Sequence, residues 1–201
     1  LAKARLRIVF TSTAQRHHTA FSNFLMRRMD SLLSTSTRAA SFMKRPPDRL
    51  IPHGVDTQTY QPAPDRAAAW RDLGFPAGRA IGIFGRVRPS KGTDIFIDAA
   101  LPLLDEFPDL QLVICGRTTP RYREFEYGLR NRVHEAGHAG RVHFLGERPF
   151  AEIPPLFRAV HATAALSRSE GFGLTVLESM ASATPVVASD AGAWPDIIDH
   201  G

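Results

Sequence analysis

Residues 79–106 read RAIGIFGRVRPSKGTDIFIDAALPLLDE, which places a short apolar segment, a loop and a longer amphipathic segment in succession. The apolar segment, Arg79–Phe84, has the length of a buried strand, and Thr93–Glu106 has the length and periodicity of a helix. Glycine bounds the loop on both sides, at Gly85 and Gly92. A strand, a loop and a helix in this order predict one βα unit of a parallel sheet.

The same alternation continues along the chain. Further strands are predicted at residues 110–115, 142–145, 162–166 and 185–188, and further helices at residues 121–136, 153–160 and 174–182. Strict alternation favours βαβ units, so we predict an α/β fold with a Rossmann-like, doubly wound parallel sheet. Ligands of such sheets bind at the carboxyl ends of the strands, so functional residues are expected in the loops that follow them.

The first 50 residues differ from this pattern. Strands are predicted at residues 6–11 and 31–36 and helices at residues 21–28 and 37–44, before the pair Pro46-Pro47. We interpret residues 1–47 as the tail of a preceding domain and residues 48–201 as a second domain. Because the chain begins with Leu1 and stops at Gly201 in a helix-like segment, we expect a segment of a longer protein.

Composition is that of an ordinary globular protein: 43% of the 201 residues are hydrophobic and 22% are charged. No apolar run approaches the ~20 residues of a membrane-spanning helix, and no secretory signal pattern is present. The single cysteine, Cys115, lies in an apolar run and is expected to be a small buried residue. One unpaired cysteine fits a reducing compartment, so we expect a cytoplasmic protein.

The net charge of +5 is distributed unevenly. Residues 1–49 hold ten Lys or Arg residues against two Asp residues, a balance of +8, whereas the remaining residues hold fifteen basic and eighteen acidic residues, a balance of −3. The basic segment is either a solvated face or a surface for a phosphate-rich partner such as anionic membrane or a phosphorylated glycolipid. No zinc-ligand spacing or RNA-binding aromatic signature accompanies it, so nucleic acid is not expected.

Two of the predicted loops combine glycine with cations. In residues 85–92, Arg86 and Lys91 are spaced to bracket one diphosphate, although a turn with two surface cations would look the same. In the second loop, Gly116 would let a flat ring such as a nucleotide base lie against the main chain, next to Arg117. Asp94, at the start of the helix after the first loop, is interpreted as a capping or dipole-compensating residue.

A third loop, Glu170-Gly171-Phe172-Gly173, precedes the predicted helix that starts with Leu174-Thr175. Two glycines before a helix allow an anion to approach the N–H groups at its positive end. Glu170 and Glu178 flank this site, and two carboxylates would repel a phosphate. They fit better as acceptors of hydrogen bonds from hydroxyl groups, one carboxylate from those of a sugar and the other from those of a ribose.

Taken together, these motifs resemble the retaining glycosyltransferases of family four, which have the GT-B fold. The stretch from Glu170 to Glu178 is similar to the Glu-x7-Glu motif of that family, and Gly85-Arg86 with Lys91-Gly92 is similar to its diphosphate clamp. Residues 51–56, 185–188 and 192–198 resemble further segments of the family. The resemblance covers nearly all of residues 50–201, with four motifs in the family's order.

Finer similarity points to the mannosyltransferases of lipopolysaccharide core biosynthesis within this family. It is carried by residues 27–30, 85–88, 91–94, 116–119 and 144–147. Two positions depart from the familiar pattern: Ser169 stands where the subgroup often has Trp, and Ala183 stands where Gly is frequent. The departures touch the subgroup and leave the family motifs intact.

The resemblance implies two facing Rossmann-like domains, with the sugar donor bound by the C-terminal one. It implies catalytic roles for Arg86, Lys91 and Glu170. It implies donor binding by Gly85, Arg86, Lys91, Gly116, Arg117, Glu170, Gly171, Phe172, Gly173, Leu174, Thr175 and Glu178. Glu170 would bind hydroxyls of the transferred sugar and Glu178 those of the ribose. No cofactor is expected, and no metal either, since the sequence lacks an Asp-x-Asp motif at a strand end.

By the same resemblance, the expected reaction is transfer of mannose from GDP-mannose, with retention, to a lipopolysaccharide core or related oligosaccharide. UDP-glucose and UDP-N-acetylglucosamine remain alternative donors. A nucleotide-binding module without transfer activity is the alternative of another class, and the chain by itself is expected to be inactive. The expected location is the cytoplasm, with peripheral contact at the inner face of an anionic membrane and no nucleic-acid partner.

Overall fold

The computed structural model describes residues 6–13 and 15–198, so Lys3 and Arg5 of the basic segment and the chain end at Gly201 lie outside the described part. The chain divides into two compact units. The first contains the described residues up to Gly54 together with Ser169–Gly173 and residues 190–198. The second contains Val55–Arg168 and Leu174–Ser189.

The first unit is a small parallel α/β structure. Its strands are β1 (Val9–Ser12), β2 (Ser31–Ser34) and β3 (Arg49–Leu50), in the order β1-β2-β3, and its helices are α1 (Ala20–Met26) and α2 (Thr37–Ser41). Thr19 and Ser36 cap the two helices by accepting a hydrogen bond from a backbone N–H of the first turn. A single short 3₁₀ turn, Trp194–Asp196, is described in the later part of this unit.

The first unit extends further than the expected boundary after residue 47. Strand β3 pairs in parallel with β2, with Leu50 opposite Ser34, so the Pro46-Pro47 pair lies inside this unit. A late segment of the chain also belongs to it, because Asp196 accepts hydrogen bonds from the backbone N–H and the hydroxyl of Thr37. Contacts over 159 residues of sequence leave no local pattern from which a boundary could be predicted.

The second unit contains a five-stranded, fully parallel sheet. Its strands are β4 (Arg79–Phe84), β5 (Leu110–Cys115), β6 (Val142–Gly146), β7 (Ala162–Ala165) and β8 (Val186–Ala188), in the order β6-β5-β4-β7-β8. Its helices are α3 (Arg66–Asp72), α4 (Thr93–Glu106), α5 (Arg123–Glu135), α6 (Ile153–Ala159) and α7 (Leu174–Ala181). Short 3₁₀ turns occur at Pro89–Lys91, Pro120–Tyr122 and Phe150–Glu152.

Helices cover both faces of this sheet. Successive residues of a strand point to opposite faces, and in β5 Leu112 packs in one core cluster with residues of α4 and α5, whereas Val113 packs in another with residues of α3 and α6. All six residues of β5 are buried, as expected for a central strand covered on both sides. The predicted doubly wound α/β fold is confirmed.

The strand order reverses direction at β4. From β4 the chain proceeds outward to β5 and β6, and then returns to place β7 and β8 on the opposite side. β4 is therefore hydrogen-bonded to β5 on one side and to β7 on the other. This is a topological switch point, where the loops after two neighbouring strands separate and leave a crevice for a ligand.

Gly92 closes the loop after β4 and begins α4. Its φ of 72° lies in the left-handed region, and a Cβ added there would lie 1.9 Å from the carbonyl oxygen of Leu166, just after β7. The loop after β4 therefore meets the main chain after β7 too closely for any residue other than glycine at position 92.

No helix in the described part of the chain combines the length and apolar character needed to cross a bilayer.

Candidate functional site

A cavity of about 270 Å³ lies in the second unit, where β4, β5 and β6 end. Phe84 and Cys115 are the last residues of β4 and β5, and Glu147 directly follows β6, and all three line the cavity. The remaining lining residues come from the loops after these three strands and from helices α6 and α7. The cavity thus occupies the carboxyl edge of the sheet, where parallel α/β folds bind their ligands.

Six of the residues predicted for donor binding line this cavity: Gly85, Arg86, Gly116, Arg117, Thr175 and Glu178. Gly85 donates its N–H to the carbonyl of Cys115 at 2.9 Å. A Cβ at Gly116, whose φ is 154°, would lie 1.9 Å from the carbonyl oxygen of Gly85. The two glycines therefore present bare main chain to the cavity, which a flat ring could approach closely.

Two other predicted residues of the second unit do not line the cavity. Lys91 ends the 3₁₀ turn Pro89–Lys91 and is partly buried. Leu174 is the first residue of α7 and is 42% exposed. Their roles in donor binding stay predictions.

The remaining predicted residues, 170–173, belong to the first unit. Within that unit the Glu170 carboxylate accepts a hydrogen bond from the N–H of Gly171 at 3.1 Å. The indole N–H of Trp194 donates to the carbonyl of Gly173 at 2.9 Å, and a Cβ at Gly173 would lie 2.2 Å from that nitrogen. Trp194 therefore requires a glycine at this position, and the sugar-binding role of Glu170 stays a prediction.

The structure adds lining residues that the sequence analysis did not select. They are Phe84, Cys115, Glu147, Arg148, Ile153 and Phe157. A signal for Arg148 was present in the sequence, because a glycine directly follows β4 and β5 and ends β6, and an arginine comes within two residues of each of these glycines. The strand order places these three ends side by side.

Cations outnumber carboxylates among the residues that line the cavity. Arg86, Arg117 and Arg148 line it together with two carboxylates, Glu147 and Glu178. Arg117 pairs with Glu147 at 3.8 Å in an exposed position, where such a pair contributes little stability. Guanidinium groups hold oxyanions with paired N–H donors, so this arrangement favours an anionic ligand such as a phosphate group.

One wall of the cavity is apolar. Phe84 and Phe157 stack with their ring centroids 4.1 Å apart, and Phe157 also contacts Tyr60 edge-on at 5.6 Å. Burial raises the pKa of the Cys115 thiol to about 11, so this side chain stays protonated at neutral pH and packs as a hydrophobic residue. The cavity therefore combines a cationic side with an apolar one, as sites for nucleotides require.

The Glu178 carboxylate is held by a tyrosine. Tyr60 is 4% exposed, and its hydroxyl donates a hydrogen bond to Glu178. Burial raises the pKa of Glu178, and the hydrogen bond from Tyr60 lowers it in part. Burial, followed by the nearby charge of Glu178, raises the pKa of Tyr60, so the phenol stays protonated and remains the donor.

A turn capped by Asp56 fixes the backbone at Tyr60. Asp56, the last residue of the motif at residues 51–56, accepts hydrogen bonds from the N–H of Gln58 at 2.9 Å and from the hydroxyl of Thr59 at 2.7 Å. Its own carbonyl accepts from the N–H of Tyr60 at 2.9 Å. The motif resembling a family segment therefore has a local structural role, since it directs Tyr60 towards Glu178.

Among residues 6–13 and 15–198, no group of three or more His, Cys, Asp and Glu side chains is arranged to hold a metal ion. The positive charge that the described residues bring to this cavity comes from its arginines.

We expect Glu178→Gln to stabilise the protein in a pH-dependent manner. Because the folded pKa of Glu178 is raised above its unfolded value, the ionised carboxylate lowers stability as pH rises through the folded pKa, and has no such effect below the unfolded pKa. The substitution should raise Tm at pH 8 and raise it much less near pH 4. Thermal unfolding of the wild type, Glu178→Gln and the exposed control Glu135→Gln measures this. A Tm at pH 8 that is unchanged or lower would contradict it.

Comparison with known proteins assigns the family. The sequence profile of the family "Glycosyl transferases group 1" matches residues 71–201. The chain is 46% identical over 202 residues to the lipopolysaccharide core biosynthesis mannosyltransferase LpsB of Rhizobium meliloti (strain 1021), an alignment that covers 100% of this chain and 57% of LpsB. The chain thus spans about half the length of the curated relatives it matches.

Two solved structures agree with this assignment. The C-terminal domain of LpcC, a glycosyl transferase group 1 family protein from Francisella tularensis, is 44% identical with a TM-score of 0.70, covering 73% of this chain and 76% of that one. Alr3699/HepE from Anabaena, in complex with UDP, is 26% identical with a TM-score of 0.79, covering 96% of this chain and 56% of that one. The chain therefore belongs to the glycosyl transferases group 1 family.

Proposed function

We propose that this chain is the donor-binding part of a retaining mannosyltransferase that uses GDP-mannose and acts on a lipopolysaccharide core or related glycan. The observation that carries the proposal is the cavity at the carboxyl ends of β4 to β6, where three arginines lie with Glu178 beside an apolar wall. The identity of 46% to LpsB along the whole chain supports the mannosyl donor and the acceptor class.

Different residues would bind the base, the ribose, the diphosphate and the sugar of the donor. The base would lie on the main chain at Gly116, and the ribose hydroxyls would donate to Glu178, which Tyr60 orients. The diphosphate would be bound by Arg86, by Lys91 and by backbone N–H groups at the start of α7, near Thr175. Glu170 would accept hydroxyls of the transferred sugar.

The chemistry would then be supported by electrostatics. As the bond between the anomeric carbon and the phosphate oxygen breaks, negative charge grows on the leaving diphosphate, and Arg86 and Lys91 would offset it. Stabilisation of this kind usually contributes several kcal/mol to the transition state. The departing phosphate would take the proton of the acceptor hydroxyl on the same face of the sugar, which retains the anomeric configuration without an enzymic nucleophile. The proposal includes no cofactor and no metal ion.

A uridine nucleotide is the alternative donor class. Alr3699/HepE, which covers 96% of this chain with a TM-score of 0.79, was solved with UDP bound. UDP-glucose and UDP-N-acetylglucosamine therefore remain candidates. The chain alone would act as a nucleotide-binding module, because the acceptor side of the relatives lies mostly outside the part that it spans.

The basic residues of the first unit would face the acceptor. Arg7, Arg16, Arg27, Arg28 and Lys44 are exposed. Cations of this kind attract phosphorylated glycolipids and anionic membrane surfaces. We place the full-length protein in the cytoplasm, in peripheral contact with the inner face of the membrane.

Removal of Arg86 and Lys91 from the loop after β4 should weaken nucleotide binding. We expect Arg86→Ala and Lys91→Ala each to lower the affinity for GDP by ~1.5–3 kcal/mol, the scale of a hydrogen bond to a charged group. Isothermal titration calorimetry with GDP and UDP measures this, with Arg71→Ala, an exposed arginine of α3, as the charge-matched control. If the double variant bound GDP as tightly as the wild type, the diphosphate assignment would be wrong.

The donor is tested by a transfer assay on the full-length parent and on this chain, with extracted lipopolysaccharide core as acceptor. The parent should use GDP-mannose in preference to UDP-glucose and UDP-N-acetylglucosamine. This chain alone should show no transfer, because positioning of two reactants contributes much of the rate. A parent that used UDP-glucose and ignored GDP-mannose would contradict the mannosyl assignment, and robust turnover by this chain would contradict the placement of the acceptor.

A further inference from the structure

Arg168, three residues beyond β7, holds the loop after β4 at several points. Its guanidinium forms a two-pronged ion pair with Asp94, with Nη1–Oδ1 at 2.8 Å and Nη2–Oδ2 at 2.7 Å. The same guanidinium donates to the carbonyl of Pro89, and the backbone N–H of Arg168 donates to the carbonyl of Ser90 at 2.9 Å. A single residue thus fixes both the turn in this loop and the helix that follows it.

The main chain of the loop is fixed at the same place. Lys91 and Gly92 donate their N–H groups to the carbonyls of Arg88 and Pro89 at 2.9 and 3.1 Å, which closes the turn. Gly92 then lies against the carbonyl of Leu166, where no Cβ fits. The loop that carries Arg86 and Lys91 is therefore held against the main chain that follows β7, the strand next to β4.

Asp94 has more than the capping role that its position in the sequence predicts. The hydrogen bonds from Arg168 are the main reason that the pKa of Asp94 is lowered, and the backbone N–H groups of the first turn of α4 lower it further. The carboxylate is therefore ionised at neutral pH and compensates the helix dipole as expected. The ion pair with Arg168 adds a second role, which links α4 to the loop after β7.

We propose that Arg168 and Asp94 are positioning residues for diphosphate binding, because they set the loop of residues 85–92 where Arg86 and Lys91 meet the two phosphates. The inference rests on the proposed function. Neither residue lines the cavity, so they act through the loop. A loop whose cations are already in place binds its ligand without a further loss of conformational entropy, and this preorganisation increases affinity.

The chain offers a matched control pair. Arg79 and Asp109 form a two-pronged ion pair at 2.9 and 2.8 Å, the same chemistry as the pair between Arg168 and Asp94. Arg79 is the first residue of β4, so this pair lies at the opposite end of the strand from the cavity. Loss of either pair removes one two-pronged ion pair from the second unit, and only the pair between Arg168 and Asp94 holds the loop.

The test compares nucleotide affinities of variants of this chain. Arg168→Lys and Asp94→Asn are titrated calorimetrically with GDP and with GMP, or with UDP and UMP if the wild type prefers uridine nucleotides, beside Arg79→Lys and Asp109→Asn. We expect the first two variants to lose about tenfold in affinity for the diphosphate, the scale of one charged hydrogen bond, and clearly less for the monophosphate. The control variants should keep both affinities within about twofold.

A ratio of diphosphate to monophosphate affinity that stays at the wild-type value in Arg168→Lys and Asp94→Asn would overturn the inference, and so would an equal change in the control variants. Asp94→Asn preserves the shape of the side chain and carries the comparison if Arg168→Lys does not fold. If the wild type binds neither GDP nor UDP, the proposed function fails. If the wild type binds GDP or UDP but the variants keep its ratio of diphosphate to monophosphate affinity, only the positioning role fails.

Discussion

Strand β4 pairs along its whole length with β5 on one side and through residues 81–83 with β7 on the other, and the site in the second unit depends on this double pairing. β4 and β7 are neighbours in the sheet, and the segments that follow them meet at Gly92 and Leu166. Beyond this contact the loops after β4, β5 and β6 surround a cavity. The strand order places the lining residues of these loops side by side at the carboxyl edge of the sheet.

The site contains one carboxylate that is unfavourable for the stability of the folded chain. Glu178 lies beside three arginines, and burial raises its pKa, which the hydrogen bond from Tyr60 offsets only in part. Two of the arginines already have carboxylate partners, Arg117 with Glu147 and Arg148 with Glu152, in exposed ion pairs. A ligand can supply further partners: phosphate oxygens for the guanidinium groups and hydroxyl groups for the Glu178 carboxylate. Glu178 is thus a source of instability and, in the proposed function, of binding.

Much of the fold was predictable because its signals are local. β4, β5 and α4 begin and end at the predicted residues, since apolar strands bounded by glycine and a long amphipathic helix are strong patterns. α5 begins two residues late because Pro120 starts a 3₁₀ turn, and the two-residue β3 is too short to show a pattern. Helix α3 was missed although Asp65, its N-cap, is a recognisable signal. Arg148 was missed although a glycine precedes it closely, as it does Arg86 and Arg117. The contact between Tyr60 and Glu178 joins distant segments, which one sequence does not reveal.

The most direct test of the account is a crystal structure of this chain with GDP. We predict the base against Gly116, the ribose hydroxyls on Glu178 and the diphosphate within hydrogen-bonding distance of Arg86, all in the cavity at the carboxyl ends of β4 to β6. GDP bound instead in the separate hollow lined by Thr118, Arg123, Glu126, Tyr127 and Arg130 would contradict the account. A ribose that makes no contact with Glu178 would contradict the role given to that carboxylate.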